Sequence, residues 1–496
     1  MEIRGIKPKK IAEKKHLELF ELRPPEYFSV PLVADDGNTS LRAVNVDERV
    51  KEGSLIARPN GKYGAFVYSP VAGKVVGVVK KLNASGNLCE HVIIARDLTE
   101  EKEYLRPLDD HDLDQENLLK RLYESGLIDN FEPFDPAYKK YLLKNPIKEL
   151  VINCAPFDPY ARSADALLTN FVNEVFEGAR FLQQVAGAEK LVFLFTTKQK
   201  KLAKLVQNHI SATVLGKVVK VKFYPNVYPL QFDRLVAYYE TGKMVPEGTR
   251  TAEVGVIVDT VNNCYDFYQA VRHGKPAIER AVTISGNNCI RKANYFVKNG
   301  TPISHILDVV GTKDNTVERM LIYGGIMTGV AEESAEVSVT LTATTILFCD
   351  ASEFVTEEYM PCINCGKCND ACPVKLNVRK LDQCFMEQKY HEAKNMCVST
   401  CIGCGACSFV CPSRRNLSQR MKYMKDYALG KRAKDPDSSE YVLVAGADMK
   451  QDTSFEKSID EVANYEKVSQ SKETPAIEEM LNVLDLKAKT GGKADE

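Results

Sequence analysis

The chain opens with short apolar runs punctuated by glycine, proline and charge. Strand-like runs alternating with amphipathic helical stretches follow, then a cysteine-dense stretch, then a charged end. Between residues 28 and 98 the runs YFSVPLV, LRAVNV, SLIARP, AFVYSP, KVVGVVKKL and HVIIARD have the length and composition of strands, and Gly53, Gly61, Gly64, Gly73 and Gly77 are placed as turn residues. From Lys148 onward ELVINCA, KLVFLFTT, KVVKVKFYP and EVGVIVDTV read as buried strands. Helices around SADALLTNFVNEVFEGARFLQQVAG, KQKKLAKLVQNHISAT, DRLVAYYETG and NCYDFYQAVRHG separate or follow them. Strands alternating with helices predict a parallel, doubly wound, Rossmann-like sheet over residues 116–276, entered through a helix at LLKRLYESGLI. Residues 277–348 (AIERAVTISG, TPISHILDVVG, ERMLIYGGIMTG, EVSVTLTATTILF) form a smaller mixed α+β pattern, and residues 356–426 are cysteine-rich with helical sequence between the cysteines. Three segments read as polar connections: a charged leader at 1–27, a solvated acidic linker at 99–115, and a charged, partly disordered tail at 431–496. The fold class predicted is multidomain α/β.

A chain of 496 residues has room for roughly three or four domains. Its 66 basic and 67 acidic residues leave a net charge of −1, so nothing electrostatic argues for nucleic acid as a partner. The longest apolar-leaning stretch, Val337 to Cys349, is broken by threonines and falls short of the ~20 apolar residues a membrane span needs. The first residues are basic but lack an apolar signal core. A cytoplasmic chain is expected, one that meets the cytoplasmic face of a membrane only as a peripheral subunit through a partner. The segment VDERVKEGSLIARPNGKYGAFVYSPVAGKVVGVV resembles a barrel-sandwich hybrid of the lipoyl and biotinyl type. No Met-Lys or Asp-Lys hairpin is present to carry a prosthetic group, so a structural role is expected for it.

The cysteines carry the chemistry. Of fifteen, Cys89, Cys154, Cys264, Cys289 and Cys349 are scattered, while ten lie between residues 362 and 411. In a cytosolic chain that density reads as metal binding rather than disulfides. Cys362, Cys365, Cys368 and Cys372, followed by Pro373, form one C-x2-C-x2-C-x3-C-P run; Cys401, Cys404, Cys407 and Cys411, followed by Pro412, form a second. This is the spacing of bacterial two-cluster ferredoxins. Three thiolates two residues apart wrap one face of a cubane, and the fourth points toward the neighbouring cluster. Two [4Fe–4S] clusters are therefore expected, one on Cys362, Cys365, Cys368 and Cys411, the other on Cys401, Cys404, Cys407 and Cys372. The alternative, each run closing its own cluster, uses the same eight residues. Zinc takes four ligands, commonly from two C-x2-C pairs, and suits two runs ending in Cys-Pro poorly. Cys384 and Cys397 fall between the runs without companions and read as buried small hydrophobes.

The order of these parts resembles the RnfC family, the peripheral electron-input subunit of ion-pumping Rnf complexes, over roughly residues 28–425. YSPVAGKVVGV, VINCAPFDPY, EVGVIVDTVNNCYDFYQAVRHGKPAIERAVTISG, IYGGIMTGVA and the double cysteine motif followed by LSQRM carry the resemblance. It implies a β-grasp (SLBB) domain at 277–348, a helical two-cluster ferredoxin-type domain at 356–426, and an electron-transfer role beside other redox proteins. Members that oxidise NADH have a glycine-rich loop holding flavin and nicotinamide. Here the matching positions read Asp129-Asn130-Phe131-Glu132-Pro133-Phe134-Asp135-Pro136. The carboxylates would repel a phosphate and the phenylalanines would fill its space, so FMN and NADH sites are expected to be lost or rebuilt. Three functions remain open at this point. The first is a relay of single electrons between a ferredoxin-like donor and a partner, either the membrane complex or a soluble reductase. The second is a flavin-dependent NADH-oxidising subunit, and the third a non-catalytic assembly protein. In the first, the chain is a subunit rather than a self-sufficient enzyme.

Overall fold

The computed structural model describes residues 5–6, 17–32, 34–35, 38–60, 64–84, 88–131, 135–142, 145–211, 218–313, 319–332, 334–351 and 360–430. The charged tail at 431–496, most of the leader, and Glu132 and Phe134 lie outside them.

The first unit is built on a long hairpin, Gly73–Leu82 against Leu88–Arg96. Tyr27–Pro31 and Arg49–Val50 flank it in a four-stranded sheet. A second sheet of Leu41–Arg42, Leu55–Arg58 and Val67–Tyr68 completes the sandwich. Phe28, Val30, Ile56, Val75, Val92 and Ile94 fill the space between them. Gly73 and Gly77, expected in turns, lie within a strand. At Gly73 the reason is close approach, since a Cβ would stand 2.2 Å from the Ala95 carbonyl oxygen. Gly77 pairs with Ile93, at the point where the register shifts by one residue.

The segment expected as a solvated linker is tied down. Leu105 N–H donates to the Gly274 carbonyl at 2.9 Å and Leu108 N–H to that of Val271 at 2.8 Å. It leads to the helix Gln115–Glu124, whose N-cap Asp114 accepts from Asn117 N–H at 2.8 Å.

The central sheet is parallel, with strands Val219–Tyr224, Lys190–Thr196, Glu149–Asn153 and Val256–Thr260 in that spatial order. Its strands are apolar on both faces because both are covered. Leu150, Ile152, Leu191, Phe193 and Phe195 face the helices Val172–Ala186, Lys200–Ser211 and Val261–Arg272. Val151, Val192, Leu194 and Val258 face the helix Asp233–Thr241 and, beyond it, Val374 and Ile402 of the cysteine-rich unit. Strands 149–153 and 256–260 lie side by side, paired in parallel. The crevice beyond their carboxyl ends is where open α/β sheets bind ligands.

The third unit is a six-stranded mixed sheet in the order Leu19–Glu21, Ala293–Lys298, Glu279–Ser285, Thr345–Asp350, Arg319–Tyr323 and Val330–Glu332. The helix Ile303–Val310 packs its Ile303, Ile306 and Val310 into this unit's core. Part of the supposed leader is thus an edge strand, because Leu19–Glu21 pairs in parallel with Asn294–Phe296. Of EVSVTLTATTILF only the end is strand. Thr340 N–H instead donates to the Tyr323 hydroxyl at 2.9 Å, closing a loop over the sheet.

The cysteine-rich unit is helical, with Lys367–Ala371, Val378–Met386, Tyr390–Asn395, Ala406–Phe409 and Leu417–Ala428. Leu381, Cys384, Tyr390, Ala393, Val398, Met421 and Met424 form its small core. Asp382 is buried beside Arg415, at 2.6 Å, and Arg420, at 2.5 Å. Cys384 packs as expected, but Cys397 is exposed and takes a left-handed backbone, φ 59°, so it is not a core residue. Among the described residues no helix is long and apolar enough to cross a membrane.

Candidate metal centres and a crevice in the α/β unit

The two cysteine runs are copies of one local structure, thirty-nine positions apart. Asn364 and Gly403, then Gly366 and Gly405, then Lys375 and Arg414 occupy equivalent places, and all six have positive φ. Gly366 and Gly405 each stand at the start of a short helix carrying the third cysteine of its run. The left-handed turn there bends the chain back on itself, which brings three cysteines around one hollow; an L side chain would be strained in it.

Two cavities result, each with about 360 Å³ of space counted out to open solvent. Cys362, Cys365, Cys368 and Cys411 line one. Cys372, Cys401, Cys404 and Cys407 line the other. Each cavity therefore takes the first three cysteines of one run and the last of the other. Among the described residues no three ligating side chains gather closely enough to hold a single metal ion. The donor set fits [4Fe–4S] clusters: four thiols around a space wide enough for a multi-atom core, with backbone amides turned to sulfur. Leu376 N–H donates to Cys372 Sγ at 3.3 Å and Gly403 N–H to Cys401 Sγ at 3.5 Å.

The two cavities differ in surroundings. Cys372, Cys404 and Cys407 are 6–9 % exposed, whereas Cys362 and Cys365 are open to solvent. Burial pushes the Cys404 thiol up to about 12, and raises those of Cys401 and Cys407 as well. Such thiols stay protonated at neutral pH unless a cation is bound, so loading iron there releases protons. The inner cavity is also held from outside its own unit. Tyr228 Oη donates to the Cys404 carbonyl at 2.6 Å. A Cβ on Gly405 would stand 2.3 Å from the Met327 carbonyl oxygen, so the 324–329 loop packs directly on the second run. Asp158 fixes that loop, accepting from Met327 N–H at 2.9 Å. Tyr228 carried no signal in the sequence, and Met327 stood in the quoted IYGGIMTGVA segment with nothing to tie it to the cysteines, since each meets them only through the tertiary fold.

A crevice of about 460 Å³, again counted to open solvent, lies beyond the carboxyl ends of strands 149–153 and 256–260. Asn130, Asn153, Phe157, Asp165 and Asn262 are among its walls. Asn130, from the stretch where the resemblance implied glycines, is one of its walls, and the carboxylates of Asp129 and Asp135 do not act as expected. Asp129 accepts from Phe131 N–H at 3.0 Å and from Lys140 Nζ at 3.2 Å. Asp135 is paired with Lys139 at 2.6 Å and with Arg250. These carboxylates are spent on internal cations and do not face a ligand. Burial alone would lower the Lys140 ammonium, but the Asp129 and Asp259 carboxylates outweigh it and raise it. Phe131 does fill space, its ring 5.6 Å from that of Phe157, which is 5.2 Å from Phe232. The crevice walls do not fit a flavin phosphate. Among the described residues they include no lysine, arginine or glycine, and the one charged group is Asp165, to which Gln199 Nε2 donates at 2.8 Å.

Three family models match the chain: the RnfC barrel sandwich hybrid domain over residues 3–99, the Nuo51 FMN-binding domain over 124–269, and a 4Fe-4S dicluster domain over 354–412. Among curated relatives, the C subunit of the ion-translocating oxidoreductase complex in Haemophilus influenzae strain PittEE is 28 % identical over 359 residues, 71 % of this chain and 54 % of that protein. Its namesake in Rhodobacter capsulatus is 28 % identical over 388 residues, 76 % of this chain and 73 % of that one. The chain thus spans about half the length of the Haemophilus relative. Among solved structures, an NAD+-reducing [NiFe]-hydrogenase in the H2-reduced state aligns with a TM-score of 0.43 at 13 % identity, over 64 % of this chain and 54 % of that one. At that level the alignment says nothing of chemistry.

Proposed function

The chain belongs to the RnfC family, and from that premise we propose that it is an iron–sulfur subunit relaying single electrons between a soluble ferredoxin-like donor and a partner redox protein. That partner is either the membrane Rnf complex, met peripherally on the cytoplasmic face, or a soluble reductase. In this reading Cys362, Cys365, Cys368 and Cys411 hold one [4Fe–4S] cluster, and Cys401, Cys404, Cys407 and Cys372 the other. The domains run 28–98, 116–276, 277–348 and 356–426, the parallel sheet being Rossmann-like and the mixed sheet with its helix an SLBB β-grasp. The observation that carries the reading is the sharing of four thiols per cavity between the two runs. Bound there, the clusters supply one-electron chemistry. The chain's own part is to place the thiols, aim amides at sulfur and keep water from the inner site.

Iron, acid-labile sulfide and flavin assays on anaerobically purified protein test this. About eight irons per chain are expected, and Cys365→Ala and Cys404→Ala should each remove about four and stop electron transfer. Full retention of eight irons in both variants defeats the ligand assignment. A second reading, flavin-dependent NADH oxidation at a rebuilt site, is favoured by the match of residues 124–269 to an FMN-binding domain. The crevice walls weigh against it. A flavin band near 450 nm that NADH bleaches would establish it over the first.

A further inference from the structure

We propose that the outer cavity's Cys362–Cys365 face is the port for a small acidic one-electron carrier protein, and that the inner cavity never meets that carrier directly. The inference rests on the cluster reading above and adds which face the carrier uses and the chemistry that recognises it.

Three observations point to that face. The inner cavity is walled by the α/β unit and the mixed-sheet unit: Tyr228 is bonded to the Cys404 carbonyl, Met327 lies on Gly405, and Ile402 sits among the residues packed on the sheet. A protein-sized carrier cannot reach it from that side. The outer cavity has no such cover among the described residues, and Ile363, between its first two cysteines, is 65 % exposed beside Met360 at 61 %. An exposed apolar patch at a redox centre, ringed by charge, has the anatomy of a transient protein interface.

The charge of the ring selects the partner. Residues 360–430 hold eleven lysines and arginines against five aspartates and glutamates, in a chain whose net charge is −1. Lys367, Arg379 and Arg414 are exposed beside the outer cavity, and Arg379 is one of its walls. The nearby acid Asp382 is buried between Arg415 and Arg420 and offers the surface no negative charge, which leaves Asp370 as the exposed carboxylate of the first run. A cationic ring around an apolar centre steers a carboxylate-rich partner and speeds encounter at low salt. The transfer itself balances simply. The reduced carrier gives up one electron and is oxidised by one; the outer site is reduced by one; no bond forms and no proton has to move.

The test uses the full chain and an acidic two-[4Fe–4S] ferredoxin as probe, measuring its Kd at low and high salt alongside iron content and the EPR signal after dithionite. Lys367→Glu with Arg379→Glu should weaken binding about tenfold or more at low salt and flatten the salt dependence, with iron and EPR signal retained. Arg414→Glu, between the cavity residues Ser413 and Arg415 of the second run, should act in the same direction, and guards against a folding defect in the double variant. Lys204→Glu, exposed on the α/β unit, should leave Kd unchanged. Unaltered Kd in both rim variants, or an equal loss in the Lys204 variant, overturns the port. A wild-type chain without iron would instead overturn the cluster reading.

Discussion

Lys140 sits buried with its ammonium 3.2 Å from Asp129 and 3.1 Å from Asp259, and Tyr141 Oη donates to Asp259 at 2.5 Å. This network shows how acids are accommodated at Asp129 and Asp259: each meets the Lys140 ammonium, and removing one partner would leave a buried charge uncompensated. Arg280 extends the network through Asn130 and lies 3.5 Å from Asp266. Burial pushes the Asp266 carboxyl up to about 7 from an ordinary value of 3.8, although Arg280 opposes the rise. The folded chain therefore keeps a proton that the unfolded chain loses between those two values. Stability from this group is full below pH 4 and is lost as pH rises through 7, by about 4 kcal/mol in all. Asp266→Asn should flatten the dependence of unfolding free energy between pH 4 and 7, read from urea titrations; an unchanged slope would refute the assignment.

At the scale of elements, helices Val172–Ala186 and Val261–Arg272 cross in direct contact. Gly178 makes that possible, since a Cβ there would lie 1.9 Å from the Cys264 carbonyl oxygen, which is backbone and cannot rotate away. Gly178→Ala is expected to lower stability by about 1–3 kcal/mol in denaturant titrations, with far-UV circular dichroism preserved. The two cysteine runs show the same economy of form. Their matched left-handed residues allow one cysteine-bearing turn and helix to be used twice, thirty-nine positions apart, and Asn364 serves where the second copy has Gly403 because asparagine tolerates that conformation.

Across the whole molecule, a near-neutral chain contains a basic unit, so the overall charge conceals the local field that a partner would meet. The cysteine-rich unit is docked rather than tethered. Ile6 and Tyr228 exchange backbone hydrogen bonds of 2.8 and 2.9 Å, and Tyr228 then reaches the Cys404 carbonyl. Tyr228→Phe removes that last bond and should cost about 1 kcal/mol of docking. Faster amide hydrogen exchange at residues 402–406, with exchange at 378–386 unchanged, would report it; equal protection in both proteins would show that the hydroxyl does not hold the unit.

What the sequence determined by itself is local. Residues 362–372 and 401–411 announce iron–sulfur chemistry because ligand spacing along the chain is itself the signal. The apolar strands from 149 to 260 announce a covered sheet because both faces show in the composition of each run. The missing glycines at 129–136 were equally plain, but their consequence was misjudged: the repulsion expected of Asp129 and Asp135 vanished once Lys140, Lys139 and Arg250 came to meet them. Cys397 outside the core and Leu19–Glu21 inside a sheet were beyond reach for the same reason. Only the tertiary structure decided which cavity is walled in and which faces solvent. Burial and charge compensation depend on residues such as Tyr228, Met327 and Asp382, whose partners are distant in sequence and brought close by packing alone.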